Sequence, residues 1–188
     1  LLRMYGRGSL FMHVTTKKMA FAGLTLALTV LAIVLSGVLE INTLFLLAAA
    51  AYLNGVVIRE CGIRFGAAFY LAAILLGFIL APNKLYCITF GALGFYILAV
   101  ELLYPFLARI RGERKRRGIF WVAKFLVFNL MYLPILFLLP TLLFPSGIHG
   151  KFLLLLIAGG QIALLIYDKA YEYFQFYVWG KFRKRLGF

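Results

Sequence analysis

The sequence predicts an all-α membrane protein with six transmembrane helices in one bundle and both termini cytoplasmic. Three observations predict it. Hydrophobic residues make up 64% and charged residues 14% of the 188-residue chain, against about 45–50% and 25% in soluble domains. Mean hydropathy is +0.98, and so few polar residues cannot cover a water-facing surface. The few charges also cut the chain into apolar windows of bilayer length. These windows are continuous runs, not alternating ones, which disfavours a β-barrel.

The windows give the helices in order. Met19 to Leu39 holds 21 residues without a charge, Ile41 to Ile58 holds 18, and Phe65 to Asn83 holds 19. Leu85 to Ala108 holds 24 with one charge, Glu101, and Gly118 to Gly150 holds 33 with one charge, Lys124. Pro134, Pro140 and Pro145 divide the far end of that fifth window. Phe152 to Tyr167 is uncharged, and an aromatic run containing Asp168, Lys169 and Glu172 continues to Trp179. A bilayer core needs about 20 apolar helical residues. The expected helices are therefore about 19–39, 42–58, 64–82, 85–107, 119–139 and 151–173. Residues 1–11 are poorly patterned and read as an N-terminal arm, a remnant or upstream extension without a cleavable signal peptide. Residues 12–188 read as a single transmembrane domain.

The net charge of +14 is first a topology signal. With six crossings, Arg3, Arg7, Lys17 and Lys18, the Arg59/Arg64 loop, the Arg109–Arg117 loop and the C-terminal Lys181–Arg185 tail share one side. The other side holds Lys84 and Lys151, while Lys124 and Lys169 lie within snorkelling distance of the positive face. The positive-inside rule makes the basic side cytoplasmic. It places the chain in a cell membrane, expected to be a bacterial cytoplasmic membrane, with the lipid bilayer as partner and no nucleic acid. The same charges would help hold anionic headgroups.

No catalytic or metal site is expected. His13 and His149 fall on opposite sides, and Cys61 and Cys87 near opposite ends, without metal-ligand spacing. Nucleophile-elbow, zinc-protease and phosphate-loop motifs are missing from the sequence. Ser36, Ser146 and His149 fall toward the outer face, where loop and cap roles account for them. No cofactor is implied, and the chain is not expected to be an enzyme.

Three groups of residues carry the functional expectations. Glu101, Lys124 and Asp168 are intramembrane charges near one depth, read as an ion network with Glu101 paired to Lys124; a proton relay is the alternative. Ala20, Gly23 and Ala27 form a small-residue stripe on the first helix that would admit a close partner helix. Asn83, Tyr86, Thr89, Asn129, Tyr132 and Gln161 are polar or aromatic groups of the outer half. They are candidate contacts for a small molecule among helices four to six, or inter-helical hydrogen bonds. At 1.5 Å per residue, Asn129 and Gln161 reach one depth.

The segment Thr16-Lys17-Lys18-Met19-Ala20-Phe21-Ala22-Gly23-Leu24-Thr25-Leu26-Ala27-Leu28 opens the domain with a basic pair and an alanine-rich helix. With six helices, internal termini and this length, the chain resembles the substrate-binding S component of energy-coupling factor (ECF) transporters across about residues 15–185. The resemblance implies high-affinity binding of a vitamin or cofactor precursor at the outer face. It also implies a transmembrane coupling subunit that contacts Gly23 and Ala27, and an ATPase pair that powers uptake. The first outer loop, about Val38 to Asn42, is short for that family. MreD-like cell-shape proteins are similar in size and helix count, so a non-transporting membrane scaffold is the alternative.

Overall fold

The computed structural model describes residues 16–39, 42–108, 110, 112–138 and 150–186, with side chains at 135, 137–138, 150–154 and 184–186 left out. Among these residues the chain is helical except at its short connections, without strands. Six long helices appear: α1 (Thr16–Val38), α2 (Thr43–Cys61), α3 (Ile63–Leu80), α4 (Lys84–Leu107), α5 (Glu113–Leu138) and α6 (Gly150–Tyr173). A π-helical turn, Phe174–Trp179, continues α6 into the short α7 (Gly180–Leu186). By length and composition, α1 to α4 are apolar enough to cross a membrane. Their outward faces agree with that. Leu44, Phe45 and Ile79 are each more than 70% exposed, as side chains facing lipid would be and those of a soluble monomer seldom are.

The helices fold as two compact units. The first contains α1, α2, α3, α4 as far as Leu103, and the C-terminal run from Tyr173; the second is Tyr104–Glu172.

In the first unit, α1, α2 and α3 pack on one another. Ala22, Val57, Cys61 and Phe69 form a shared core with Phe21, Leu26 and Phe65 against it. One residue, Gly62, joins α2 to α3, with φ +92° and ψ 161°, a region open essentially to glycine alone. The chain reverses there, and Gly66 comes against Ile58: a Cβ on Gly66 would lie 2.9 Å from the Ile58 Cα. The expected second loop containing Arg59 and Arg64 is thus corrected. Arg59 lies inside α2 and Arg64 inside α3, because a positive-φ glycine turns the chain without a loop.

At the opposite end, α3 stops at Ala81, whose extended backbone suits the residue before Pro82. The Lys84 ammonium caps the end of α3 by donating to the carbonyls of Phe78 and Ala81. The Asn83 side-chain oxygen accepts the Leu85 N–H at 3.0 Å and opens α4. The α3–α4 contact is built on glycines. The Tyr70 hydroxyl donates to the Gly91 carbonyl at 2.6 Å, and a Cβ on Gly94 would sit 2.7 Å from the Tyr70 ring.

In the second unit, α5 begins at Glu113, six residues before the expected start. The basic run Arg114–Arg117 therefore belongs to the helix. Gly112, at φ +97°, ends the preceding connection, and an acidic residue in the first turn suits the positive end of the helix dipole. The helix also runs through Pro134 to Leu138. As α5 ascends through Lys124, Asn129 and Tyr132, its partners on α6 descend through Asp168, Gln161 and Leu156. The pair is antiparallel.

Candidate functional site

The charged cluster of the second unit is built by two helices. The Lys124 ammonium donates to Asp168 Oδ2 at 2.7 Å and to Glu172 Oε1 at 3.1 Å. It also sits 4.5 Å from the Phe120 ring centroid and 5.2 Å from that of Trp121, so two carboxylates and two aromatic faces enclose one cation. Glu172 Oε2 takes a second lysine, Lys169, at 3.3 Å. Asp168 and Glu172 are four residues apart and share a helix face, which lets one lysine bridge them. The Lys124 and Asp168 side chains are 3% and 0% exposed, a depth at which either charge alone would be costly.

Glu101 has another partner. Arg59 of α2 donates to its Oε1 through Nε at 2.9 Å and Nη2 at 2.5 Å. The sequence reading gave Glu101 to Lys124. Within its own unit each has a partner: Arg59 for Glu101, Asp168 and Glu172 for Lys124. Because α2 runs to Cys61, the Arg59 guanidinium comes beside α4.

The outer-half polar residues fall in two places. In the first unit, Asn83 caps α4, and Thr89 donates to the Leu85 carbonyl of its own helix at 3.1 Å. Tyr86 is half-buried against Gly37, where a Cβ would lie 3.5 Å from the Tyr86 ring. In the second unit, Gln161 Nε2 donates to Asn129 Oδ1 at 2.8 Å and Asn129 Nδ2 to Gln161 Oε1 at 3.4 Å. Asn129 also donates to the Phe125 carbonyl. The Tyr132 hydroxyl donates to the Leu156 carbonyl at 2.8 Å, with its ring stacked on Phe128. Thr141, Ser146 and His149 of the third outer loop, His13, Glu40 and the Lys151 side chain lie outside the described residues.

The small-residue stripe has a clear location. Ala20, Gly23 and Ala27 are exposed, whereas Ala22, Thr25, Thr29, Ile33 and Ser36 supply the buried face of α1. A Cβ on Gly23 would meet nothing within 4 Å. Gly23 and Ala27 open onto an apolar groove of about 470 Å³ between α1 and α3, whose other walls include Leu26, Val30, Leu76 and Leu80.

Neither a protein-family model, nor a curated protein, nor a solved structure matches the chain. Among the described residues, no group of three His, Cys, Asp or Glu side chains is placed to hold a metal ion.

One cluster escaped the sequence reading. Glu60, at the end of α2, is 4% exposed. Its Oε1 accepts the Trp179 indole N–H at 3.0 Å and lies 3.1 Å from Arg183 Nε, while its backbone carbonyl accepts from Lys18 at 2.7 Å. The Gln175 amide donates to the Tyr52 carbonyl, and Phe174 and Trp179 pack on Tyr52 and Phe21. Gln175, Trp179 and Arg183 are spaced by four, a one-face helical pattern that continues beyond the expected end of helix six at 173.

Proposed function

We propose that the chain is a membrane-embedded subunit with six crossings and cytoplasmic termini, acting as the substrate-binding S component of an ECF-type nutrient transporter. The observation that carries this reading is the exposed stripe Ala20–Gly23–Ala27 beside the open groove. Small residues on a lipid-facing surface allow a second helix to approach closely, and packing takes the place of the hydrophobic drive within lipid. A transmembrane coupling subunit is the proposed occupant. A pair of ATPases bound through it would supply the energy, and a vitamin or cofactor precursor would be captured at the outer face.

The test is reconstituted uptake by the complex. Gly23→Leu and Ala27→Leu should abolish uptake and coupling-subunit capture while binding of the co-purified nutrient, identified by mass spectrometry, is unchanged. Uptake that survives both changes would sink the reading.

One observation favours the MreD-like scaffold instead. Asn129 and Gln161 use their amides on each other, and the Tyr132 hydroxyl is used on a backbone carbonyl, as in a bundle packed for its own sake. Purification without any bound small molecule, with partner capture still sensitive to Gly23→Leu, is the outcome that selects the scaffold.

A further inference from the structure

Two chain crossings join the two units: Leu103 to Tyr104 within α4, and Glu172 to Tyr173 at the end of α6. Each falls beside a break in helical hydrogen bonding. Pro105 lies inside α4 and has no N–H, so the rung from residue 105 back to the Glu101 carbonyl cannot form. That rung would have spanned the first crossing. Just past the second crossing the chain is π-helical, from Phe174 to Trp179, a rare winding that occurs mostly as single turns, frequently at functional sites. Proline and π turns are two of the few places where helices bend sharply.

Both crossings are clamped on either side. Before the first, Glu101 is held by Arg59 of α2 at 2.5 Å; after it, Tyr104 meets Phe120 of α5 edge-on at 5.5 Å. Before the second, Glu172 is held by Lys124 at 3.1 Å. After it, Phe174 packs on Tyr52 at 5.6 Å, and the Gln175 amide donates to the Tyr52 carbonyl at 3.2 Å. Each clamp lies within one unit, so the freedom left to the chain is confined to the few residues between clamps. The bond from Trp179 to Glu60 keeps the chain beyond the second crossing with the first unit. Pro134 also interrupts a helix, α5, but it lies inside the second unit, two residues from Tyr132, whose hydroxyl is bound to the Leu156 carbonyl of α6.

We propose that the two crossings are hinges, and that the second unit, Tyr104–Glu172, turns as a body against the first. Two fixed points leave one free rotation, about the line that joins them, so the two breaks act together. Such motion belongs to the microsecond-to-millisecond range of collective hinge movements and needs neither a nutrient nor a coupling subunit.

The experiment uses the full chain in lipid nanodiscs, with nitroxide pairs and distance distributions read by pulsed electron paramagnetic resonance. Leu28→Cys with Leu71→Cys reports within the first unit, Leu126→Cys with Ile162→Cys within the second, and Leu71→Cys with Leu126→Cys between them. All four positions are exposed, whereas the native Cys61 and Cys87 are buried. The between-unit pair should give a distribution broader than both within-unit pairs, and Pro105→Ala, which restores the rung, should narrow it to their width. Hydrogen exchange of the unlabelled chain needs no variant: the stretches 101–107 and 173–179 should exchange faster than the middle of α4 and α6. In Pro105→Ala, exchange should slow at both stretches, because one stiffened hinge blocks the shared rotation. A between-unit width no greater than the within-unit widths, an unchanged width in Pro105→Ala, or exchange as slow at both stretches as in mid-helix would overturn the proposal. Slowing confined to α4 would overturn it too, since Pro105 would then be a local weakness without a linked motion.

Discussion

Lys124 and Asp168 lie 2.7 Å apart on antiparallel neighbours α5 and α6, with almost no exposed side-chain surface on either. Removing Lys124 strands Asp168, whereas removing Asp168 leaves Lys124 its bond to Glu172. Lys124→Met alone should lower stability by about 3–5 kcal/mol and Asp168→Asn by less, and the double variant should recover much of the Lys124→Met loss, since well-packed neutral groups often replace a buried pair without penalty. Thermal unfolding in detergent of the two single variants and the double variant measures this. Additive losses would mean that the two charges are not coupled.

Asn129 and Gln161 should behave in the same sense at smaller scale. Asn129→Leu or Gln161→Leu leaves a half-buried amide without its partner, costing about 1–3 kcal/mol, and the double leucine variant should regain stability. Nutrient affinity measured on the same proteins separates packing from binding. Under the transporter reading, affinity falls in all three variants, whatever the stability.

Gly159 and Gly160 are adjacent and should respond oppositely to alanine. A Cβ on Gly160 would lie 2.6 Å from the Tyr132 ring, whereas one on Gly159 meets nothing within 4 Å. Gly160→Ala should destabilise by about 1–3 kcal/mol through overpacking. Gly159→Ala should stabilise by about 0.5–1 kcal/mol through helix propensity. Melting temperatures of the two variants, measured side by side, decide it.

Asn54 is fully buried in α2, and neither polar atom of its side chain has a hydrogen-bond partner among the described residues. Asn54→Leu, close in shape, should raise stability by about 1–3 kcal/mol by removing that desolvation cost. A fall in melting temperature would show that the amide is satisfied in the membrane.

Gly23→Leu should leave the isolated chain as stable as the parent or more stable by up to about 1 kcal/mol through helix propensity, and Ala27→Leu within about 0.5 kcal/mol, because surface changes away from structural features are near neutral. A loss above about 1 kcal/mol in detergent would place the stripe inside the bundle and remove the docking face.

The long helices were legible because charges are rare and each costs too much in lipid to be scattered at random. The meeting of Asn129 and Gln161 was legible from helical rise alone, counted from the expected ends of the two helices. The partner of Glu101 was not. It depends on α2 continuing to Cys61, which turns on the backbone of Gly62, and Arg59 reads as a loop residue until that turn is seen. The start of α5 was missed for a related reason: hydropathy marks where apolar sequence begins, whereas a helix of arginines and lysines extends beyond it. Glu60, Trp179 and Arg183 were missed because the two sides of their contact are 119 residues apart in sequence, although the four-residue spacing of Gln175, Trp179 and Arg183 was there to be read.

The single-residue link at Gly62 has a consequence for how the protein is made. With one residue between them, α2 and α3 have little chain entropy left to lose when they pair, so the hairpin should close as soon as both helices have formed. An epitope or cleavage site inserted at Gly62 would therefore disturb the pairing of the two helices itself.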